Sequence, residues 1–241
     1  GVICRTDLSL CGVIRNIKRC VVSGWHIIPL HVELDTRHTM IELLHCDCME
    51  YMATVPDKYF DLAIVDPPYG IGDKFKGGKT GKMNFNEIVS KDWDKAPSDE
   101  YFSELQRVSK NQIIWGGNYF NLPPSRCFIV WDKIISAEFS LAMAELAWTS
   151  FDKLAKIYKL QVPKNGKIHP TQKPVALYQW LLTNYAKKGQ RILDTHLGSG
   201  SSAIAAHYFG VDFVGTELDK DYFDAAKARF DMATKQLAMS I

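Results

Sequence analysis

The chain has 241 residues, of which 46% are hydrophobic and 12% aromatic, and its formal net charge is only +2. It is long enough and apolar enough to bury one substantial core, so we expect a soluble globular protein. No apolar run approaches the roughly 20 residues that cross a bilayer, and the start lacks a signal-peptide pattern, which predicts a cytoplasmic protein without a membrane partner. The six cysteines form no CxxC pair, so we expect free thiols and no metal site.

A regular hydrophobic pattern begins at Met40. Residues 1–39 show weak periodicity and carry three of the six cysteines. We therefore expect an N-terminal extension over residues 1–39 and a working domain over residues 40–241.

From Met40 onward, strand patterns alternate with helix patterns. The run FDLAIVD at residues 60–66 is continuously apolar, as in a parallel strand that is buried on both faces. We predict a helix over 98–109 with Ser98 as its cap, and an amphipathic helix over 174–186 with Pro174 in its first turn. Further strands are predicted within 41–47, 111–117, 126–150, 191–200 and 212–219, and further helices at 48–55 and 201–210, the latter ended by Gly210. This alternation predicts an α/β fold with a Rossmann-like, doubly wound and mostly parallel sheet.

A glycine-rich turn follows the predicted strand that ends near Asp194. Gly198 and Gly200 open the next helix, and Glu217 lies 19 residues after Gly198 at the end of the following strand. Glycines allow the backbone to approach a ligand closely, and an acid at this distance can accept the hydroxyls of a ribose. The spacing predicts a nucleotide-like ligand, and by itself it fits a nicotinamide or flavin cofactor as well. Too few residues follow Glu217 to complete the sheet, so the other strands come from earlier in the chain.

The sequence DPPYG follows the apolar strand at residues 60–66. The strand brings Asp66 to the carboxyl edge of the sheet, where open α/β folds bind ligands. Pro67 and Pro68 have a fixed φ and no N–H, so they present carbonyl acceptors in a fixed direction. A carboxylate and a rigid carbonyl suit a planar amino group, and the ring of Tyr69 can stack on a base.

Both of these motifs, with HPTQKP at residues 169–174 between them, carry a family resemblance. The chain resembles the amino-methylating DNA methyltransferases that use S-adenosylmethionine (SAM), in the permuted order with DPPY first and the glycine motif last. The resemblance extends over roughly Ile41 to Phe230 and implies a class I methyltransferase-like fold. A motif that begins with Asp, as at Asp66, resembles the adenine-N6 enzymes more than the cytosine-N4 enzymes, which more often begin with Ser.

The resemblance implies roles for individual residues. The catalytic group would be Asp66, Pro67, Pro68 and Tyr69, which hold and stack on an extruded adenine. Two departures concern the glycine motif, where Asp194-Thr195-His196 stands in place of Asp-Pro-Phe and Ser201 in place of a threonine. The implied cofactor-binding residues are Asp47 at the adenine, Thr171 and Lys173 near the carboxylate, Asp194, Gly198, Ser199 and Gly200 at the methionine end, Glu217 at the ribose, and His196 packing its ring against the cofactor.

Positive charge is concentrated in two parts of the chain. Residues 153–193 contain nine Lys or Arg and no Asp or Glu, a block that can follow a phosphate backbone. The loop at residues 71–84 is rich in glycine and lysine, and a small recognition region is expected within residues 71–168. The predicted contacts to double-stranded DNA are Lys74, Lys76, Lys79 and Lys82 in the loop, and Lys164 and Lys167 in the block. Since related permuted enzymes are often dimers, a homodimer is a candidate assembly and a cognate restriction nuclease a candidate partner.

Three other functions remain open at this point. The same fold and cofactor can serve cytosine N4 or an RNA base. A catalytically idle DNA-binding relative is a second alternative, although the intact motif residues argue against it. A dehydrogenase would fit the glycine spacing but would leave DPPY and HPTQKP unexplained.

Overall fold

The computed structural model describes residues 39–71, 95–135, 142–161, 168–169 and 171–238. Within these ranges there are eight β-strands, five α-helices and one short 3₁₀ helix. The strands are β1 (Ile41–His45), β2 (Phe60–Val65), β3 (Ser109–Trp115), β4 (Phe128–Asp132), β5 (Ala144–Thr149), β6 (Lys156–Lys159), β7 (Arg191–Asp194) and β8 (Asp212–Glu217). The helices are α1 (Cys48–Ala53), α2 (Asp99–Val108), α3 (Val175–Tyr185), α4 (Ser201–Phe209) and α5 (Lys220–Ala238), and the 3₁₀ helix is Gly117–Tyr119.

All eight strands belong to one sheet, with the order β1-β8-β7-β2-β3-β5-β4-β6. Every neighbouring pair is parallel except the two pairs that involve β5, which runs antiparallel to both β3 and β4. The predicted doubly wound, mostly parallel sheet is therefore confirmed. The reversed direction of β5 places its first residues, Ala144 and Glu145, at the edge where the other strands end.

The centre of the sheet contains the point where the chain changes winding direction. Strands β2 and β7 are neighbours, with Leu62 beside Ile192 and Ala63 beside Leu193. From β2 the chain continues to β3 on one side, whereas from β7 it continues to β8 on the other side. In open α/β sheets a crevice forms at such a point, outside the carboxyl ends of the strands. Asp66 follows β2 directly and Asp194 ends β7, so both lie beside this crevice.

Strand β2 is buried on both faces, as its unbroken apolar run predicts. Leu62 and Ile64 pack into a core with α3 and α4, while Ala63 and Val65 pack into a second core with α1 and α2. Alternate side chains of a strand point to opposite faces, so each face of β2 contributes to a different helical layer. This two-sided packing holds the end of β2, and with it Asp66, in a fixed position.

The observed helix ends match the ends predicted from the sequence only in part. Gly210, with φ of 85°, ends α4 in the left-handed conformation that glycine adopts without strain, as predicted. Ser98 precedes α2 at the N-cap position, but its side chain makes no capping hydrogen bond. Pro174 is the N-cap of α3 rather than a first-turn residue, because its ψ of 144° is extended. Strand β6 and helix α5 were not among the predicted elements.

Residues Thr39–Ile241 form one compact unit, and the predicted domain start at Met40 stays a prediction. Among the described helices, none is both long and apolar enough to cross a membrane.

Candidate active site

Asp66 presents its carboxylate at the crevice between the ends of β2 and β7. Its Oδ1 accepts a hydrogen bond of 2.7 Å from the Tyr69 hydroxyl, and its Oδ2 accepts one of 2.5 Å from the Lys173 ammonium. Only 13% of the Asp66 side chain is exposed, and the adjoining Pro67 is buried. The predicted acceptor pocket therefore has its carboxylate at the sheet edge, close to a buried cation.

The ring of Tyr69 rests on backbone that has no side chain. A Cβ atom added at Gly116 would lie 2.2 Å from Cε1 of Tyr69, and Gly116 has φ of 67°. The ring of Tyr119 stacks on Tyr69 at a centroid distance of 5.1 Å, and Phe120 meets it edge-on at 6.2 Å. The segment IIWGGNYF thus forms the surface against which the ring of Tyr69, the predicted stacking residue, packs.

Substituting Gly116 by Ala is expected to lower the rate of the reaction at this site by about tenfold or more, because the new methyl group displaces the Tyr69 ring. The matched control is Gly189→Ala, since Gly189 also has a left-handed φ, of 75°, but is exposed in the turn that precedes β7. Both variants strain the backbone, and thermal unfolding measures the stability that each one loses. A loss of activity in Gly116→Ala beyond that in Gly189→Ala then reports the displaced Tyr69 ring. Equal activity in the two variants would contradict the role given to Gly116.

Lys173 is buried between two carboxylates. Besides its bond to Asp66, its Nζ lies 3.1 Å from Glu145 Oε2, an ion pair without the alignment of a hydrogen bond. Glu145 pairs in turn with Lys133 at 2.6 Å. The Lys173 ammonium also lies 5.2 Å from the centroid of the Trp115 ring. Four charges of alternating sign thus run from Asp66 through Lys173 and Glu145 to Lys133.

These contacts determine the pKa values of Lys173, Glu145 and Asp66. Burial alone would lower the pKa of Lys173, but Asp66 and Glu145 raise it above its ordinary value. Burial alone would raise the pKa of Glu145, but Lys173 and Lys133 lower it to about 2. Burial raises the pKa of Asp66, and Lys173 opposes that shift. Lys173 is therefore charged and Glu145 ionised at neutral pH.

The contacts of Lys173 bear on one expectation, its place near the carboxylate of a cofactor, which stays a prediction. The resemblance implied that Lys173 lies near the carboxylate of the cofactor, whereas the structure places its ammonium on the carboxylate of Asp66. Two carboxylates already neutralise this buried charge. The contacts of this side chain within the protein therefore lie in the acceptor half of the site.

The glycine turn forms the other half of the site. Gly198 and Gly200 have φ of 51° and 71°, so the predicted tight turn does require glycine-like backbone. Glu217 at the end of β8 accepts the Gly198 N–H at 2.9 Å through Oε2 and the Asp219 N–H at 3.0 Å through Oε1. Its carboxylate therefore joins the turn to the end of β8.

Asp194 is a buried carboxyl group at the end of β7. Its Oδ2 accepts a hydrogen bond from the Ser202 hydroxyl at 2.6 Å, and its Oδ1 accepts the His196 N–H at 3.0 Å. Burial raises the pKa of Asp194 to about 7 despite these bonds, and the charges of Asp66 and Glu217 add to the shift. A cationic ligand at this carboxyl would favour its ionised form.

His196 is held by a hydrogen-bond chain that starts on α2. The Tyr101 hydroxyl lies 2.6 Å from Thr195 Oγ1, which lies 2.9 Å from His196 Nδ1, and the rings of Tyr101 and His196 meet edge-on. Burial lowers the pKa of His196 to about 4, so the imidazole is neutral at pH 7. The departure from Asp-Pro-Phe thus provides a hydroxyl that orients the histidine.

The HPTQKP segment contacts both halves of the site. The ring of His169 lies 3.9 Å from the position of a Cβ at Gly198, whereas Lys173 bonds to Asp66. Thr171 is exposed, and its hydroxyl lies 3.1 Å from His169 Nδ1. Burial, and then the charge of Lys173, lower the pKa of His169 to about 4. One short segment therefore connects the glycine turn to the Asp66 carboxylate.

Two of the predicted cofactor-binding residues, Asp47 and Ser199, accept hydrogen bonds from other residues of the protein. Asp47 caps α1 by accepting the Met49 N–H at 2.6 Å, and it lies just beyond β1, which pairs with β8. Ser199 is buried, and its carbonyl accepts a hydrogen bond of 2.6 Å from Arg229 on α5. Both residues lie at the same sheet edge as Glu217, and their contact with a cofactor stays a prediction.

The structure brings most of the predicted site residues to one edge of the sheet. The predicted lysines lie outside the described residues: Lys74, Lys76, Lys79, Lys82, Lys164 and Lys167. Among the described residues, no three His, Cys, Asp or Glu side chains are arranged to hold a metal ion. The site residues that the sequence did not indicate are Tyr101, Gly116, Tyr119, Glu145, His169 and Arg229. Only His169 had a signal, since it opens the HPTQKP motif.

An open α/β sheet with two such half-sites at the change in winding direction is an architecture that binds nucleotide-like cofactors. Residues 114–228 match the DNA methylase family N6_N4_Mtase. Type II methyltransferase M2.DpnII from Streptococcus pneumoniae is 24% identical to this chain, with 78% of this chain and 89% of the relative covered. The matched range includes the HPTQKP segment and the glycine turn, so these comparisons support the resemblance that the two motifs carry. Asp66 and Tyr69 precede the matched range, so their assignment rests on the geometry described above.

Two solved structures have the same fold. The M1.HpyAVI-SAM complex has a TM-score of 0.53 and 21% identity, over 79% of this chain and 98% of that chain. The PvuII DNA methyltransferase (cytosine-N4-specific) has a TM-score of 0.55 and 12% identity, over 82% of this chain and 92% of that chain. The predicted class I methyltransferase-like fold is thus confirmed.

Proposed function

We propose that this protein transfers a methyl group from SAM to N6 of an adenine in double-stranded DNA after the base has been flipped out of the helix. The observation that carries the proposal is the placement of Asp66 and the Asp194 turn at the ends of the neighbouring strands β2 and β7. Two reactants bound there lie side by side. One is a planar amine held by acceptors, and the other is a cofactor held by the glycine turn.

The groups around the glycine turn fit SAM. Asp194 is a buried carboxyl that suits a cationic group, and the partly buried carboxylate of Glu217 suits ribose hydroxyls. Gly198 and Gly200 let the backbone approach the ligand closely. His196 and His169 are neutral at pH 7, so neither ring repels a sulfonium or an ammonium.

The acceptor groups of DPPY would prepare the nucleophile. When bound, SAM supplies a methyl group on a positively charged sulfur. The lone pair of an adenine N6 is delocalised into the ring, so the nitrogen must become more tetrahedral before it attacks. Asp66 and the carbonyl of Pro67 would accept its two N–H bonds, which favours that geometry and stabilises the positive charge that develops on nitrogen. After the transfer, the extra proton on N6 would leave for water or for the Asp66 carboxylate.

The position of Asp66 supports the proposal of base flipping. An adenine amino group inside a duplex is paired, and a group at a sheet edge cannot reach it there. Extrusion costs a few kcal/mol, and stacking on an aromatic ring returns about 1 to 3 kcal/mol per base. Tyr69, with Tyr119 stacked on it, provides that aromatic surface.

The choice of adenine rests on the first residue of the DPPY motif, which is Asp in the adenine-N6 enzymes that this chain resembles. The test is transfer of tritiated methyl from SAM to duplex DNA of mixed sequence, followed by separation of the nucleosides. We expect label in N6-methyl-2′-deoxyadenosine. Label in N4-methyl-2′-deoxycytidine would overturn the base assignment, and labelling of RNA but not of DNA would overturn the substrate. No transfer to any of them would favour a DNA-binding relative without activity.

Assembly and location remain predictions. A homodimer, a cognate restriction nuclease and a cytoplasmic location are proposed from the sequence and the resemblance alone. DNA contacts by the lysines of the 71–84 loop and the 153–193 block are proposed on the same basis. Sedimentation of the purified chain, with and without duplex DNA, tests the homodimer.

A further inference from the structure

Both oxygens of the Asp66 carboxylate are already engaged in this structure. Tyr69 donates to Oδ1, and Lys173 donates to Oδ2. A carboxylate oxygen can accept a second donor, so an incoming amino group, if the proposed function is correct, either joins one of these donors or replaces it. We propose that the amino group binds Oδ1 in exchange for the Tyr69 hydroxyl, while Lys173 keeps Oδ2 throughout and acts as the positioning residue of Asp66.

Lys173 is the donor that stays. Only 2% of its side chain is exposed, and its ammonium lies between Asp66 and Glu145 against the Trp115 ring. Moving it would leave Asp66 without its counter-charge and Glu145 with Lys133 alone, which is strongly unfavourable. Glu145 is fixed as well, since Lys133 binds it and its backbone pairs with Trp131 in the sheet.

Tyr69 is the donor that leaves. Its hydroxyl carries no charge, because burial and the nearby Asp66 raise the pKa of the phenol well above its ordinary value. Its ring contacts Tyr119, which is 49% exposed and lies in a 3₁₀ helix rather than in the sheet. A phenol O–H and an amino N–H both donate one hydrogen to the oxygen, so the exchange keeps Oδ1 satisfied. The same exchange lets the Tyr69 ring turn toward the base that it would stack on.

The charges around Asp66 give the proposal a pH signature. The ionisable groups that act on it are Lys173, Glu145 and Tyr69, and Asp66 in turn acts on Tyr101, Tyr178 and Asp194. Lys173 lowers the pKa of Asp66, and Glu145 raises it. The acid limb of the rate profile should therefore move to higher pH when the Lys173 charge is lost, and to lower pH when the Glu145 charge is lost.

The first experiment compares Lys173→Met and Lys173→Arg with the unaltered protein. We expect Lys173→Met to lower kcat by about 100-fold and to move the acid limb of the kcat profile upward by about one pH unit or more. Lys173→Arg should restore part of kcat and keep the acid limb in place, because it keeps the charge. SAM affinity, measured by calorimetry, should change by less than about threefold in both, as expected for a residue outside the cofactor half.

A matched control lies at the other end of β2. Lys110 forms an ion pair of 2.7 Å with Asp61 of that strand, so Lys110→Met also removes a lysine paired with a carboxylate of β2. It should leave kcat and the pH profile unchanged. If Lys173→Met does not fold, Glu145→Gln serves instead, since it weakens the hold on Lys173 without removing the ammonium. Its acid limb should then move to lower pH, opposite to that of Lys173→Met.

The Tyr69 exchange is tested by Tyr69→Phe, which keeps the ring and removes the competing donor. We expect KM for DNA to fall by a few-fold, because the amino group no longer competes with the hydroxyl for Oδ1. A large rise in KM would show that the hydroxyl binds substrate, and it would overturn the exchange. A Lys173→Met variant with full kcat and an unmoved acid limb would overturn the positioning role. Failure of the proposed function gives a different result, because the unaltered protein would then not methylate adenine.

Discussion

Replacement of Asp66 by asparagine is expected to reduce methyl transfer by about 10³-fold while SAM binds with nearly unchanged affinity. An asparagine keeps the shape of the side chain but replaces one acceptor oxygen with a donor and removes the negative charge. The amino group of the substrate would then lose the acceptor that stabilises the charge developing on it, and loss of one such preorganised group costs about 10² to 10³ in rate. Loss of the counter-charge to Lys173 disorders the pocket further and adds to that effect.

The measurement is single-turnover transfer of tritiated methyl, with SAM affinity determined separately by calorimetry. Asp61→Asn is the matched control, because Asp61 lies on the same strand but pairs with Lys110 and the Arg191 N–H at the opposite edge. Thermal unfolding of both variants shows whether the loss of activity reflects loss of the fold. Full activity of Asp66→Asn would remove Asp66 from the mechanism.

The affinity for SAM is expected to depend on pH through Asp194, whose pKa is raised to about 7 by burial. Below pH 7 the carboxyl is mostly protonated, and it must lose its proton to pair with a cationic group of the ligand. Affinity should therefore rise by about tenfold per pH unit up to about pH 7 and then level off. His169 and His196 stay neutral across this range, since the pKa of each is lowered to about 4.

Calorimetry at pH 6 in two buffers with different ionisation enthalpies checks this directly, since it should detect the release of nearly one proton on binding. Asp194→Asn should bind SAM more weakly, with no proton release in this range. Its control is Glu217→Gln, which should weaken binding through the ribose but keep the proton release of Asp194. An affinity that does not change between pH 5.5 and 7.5 would contradict a cationic partner for Asp194.

Local patterns were enough to place the two halves of the site. The unbroken apolar run before Asp66 specifies a strand that must be covered on both faces, and such a strand ends at the edge where ligands bind. The spacing from Gly198 to Glu217 likewise describes one strand, one turn, one helix and the next strand. These features depend on neighbours in the chain, so the residue pattern alone predicts them.

The sequence by itself determined the alternating α/β elements, the edge that Asp66 and Gly198 share and the chemical types gathered there. The tertiary structure alone decided that β2 and β7 are adjacent, that Glu145 reaches this edge and that Lys173 binds Asp66. Glu145 arrives because β5 runs antiparallel, which brings the start of that strand to the end of its neighbours. Strand order, strand direction and the partner of a buried charge depend on contacts between residues far apart in the chain, and hydrophobic period and motif spacing do not encode those contacts.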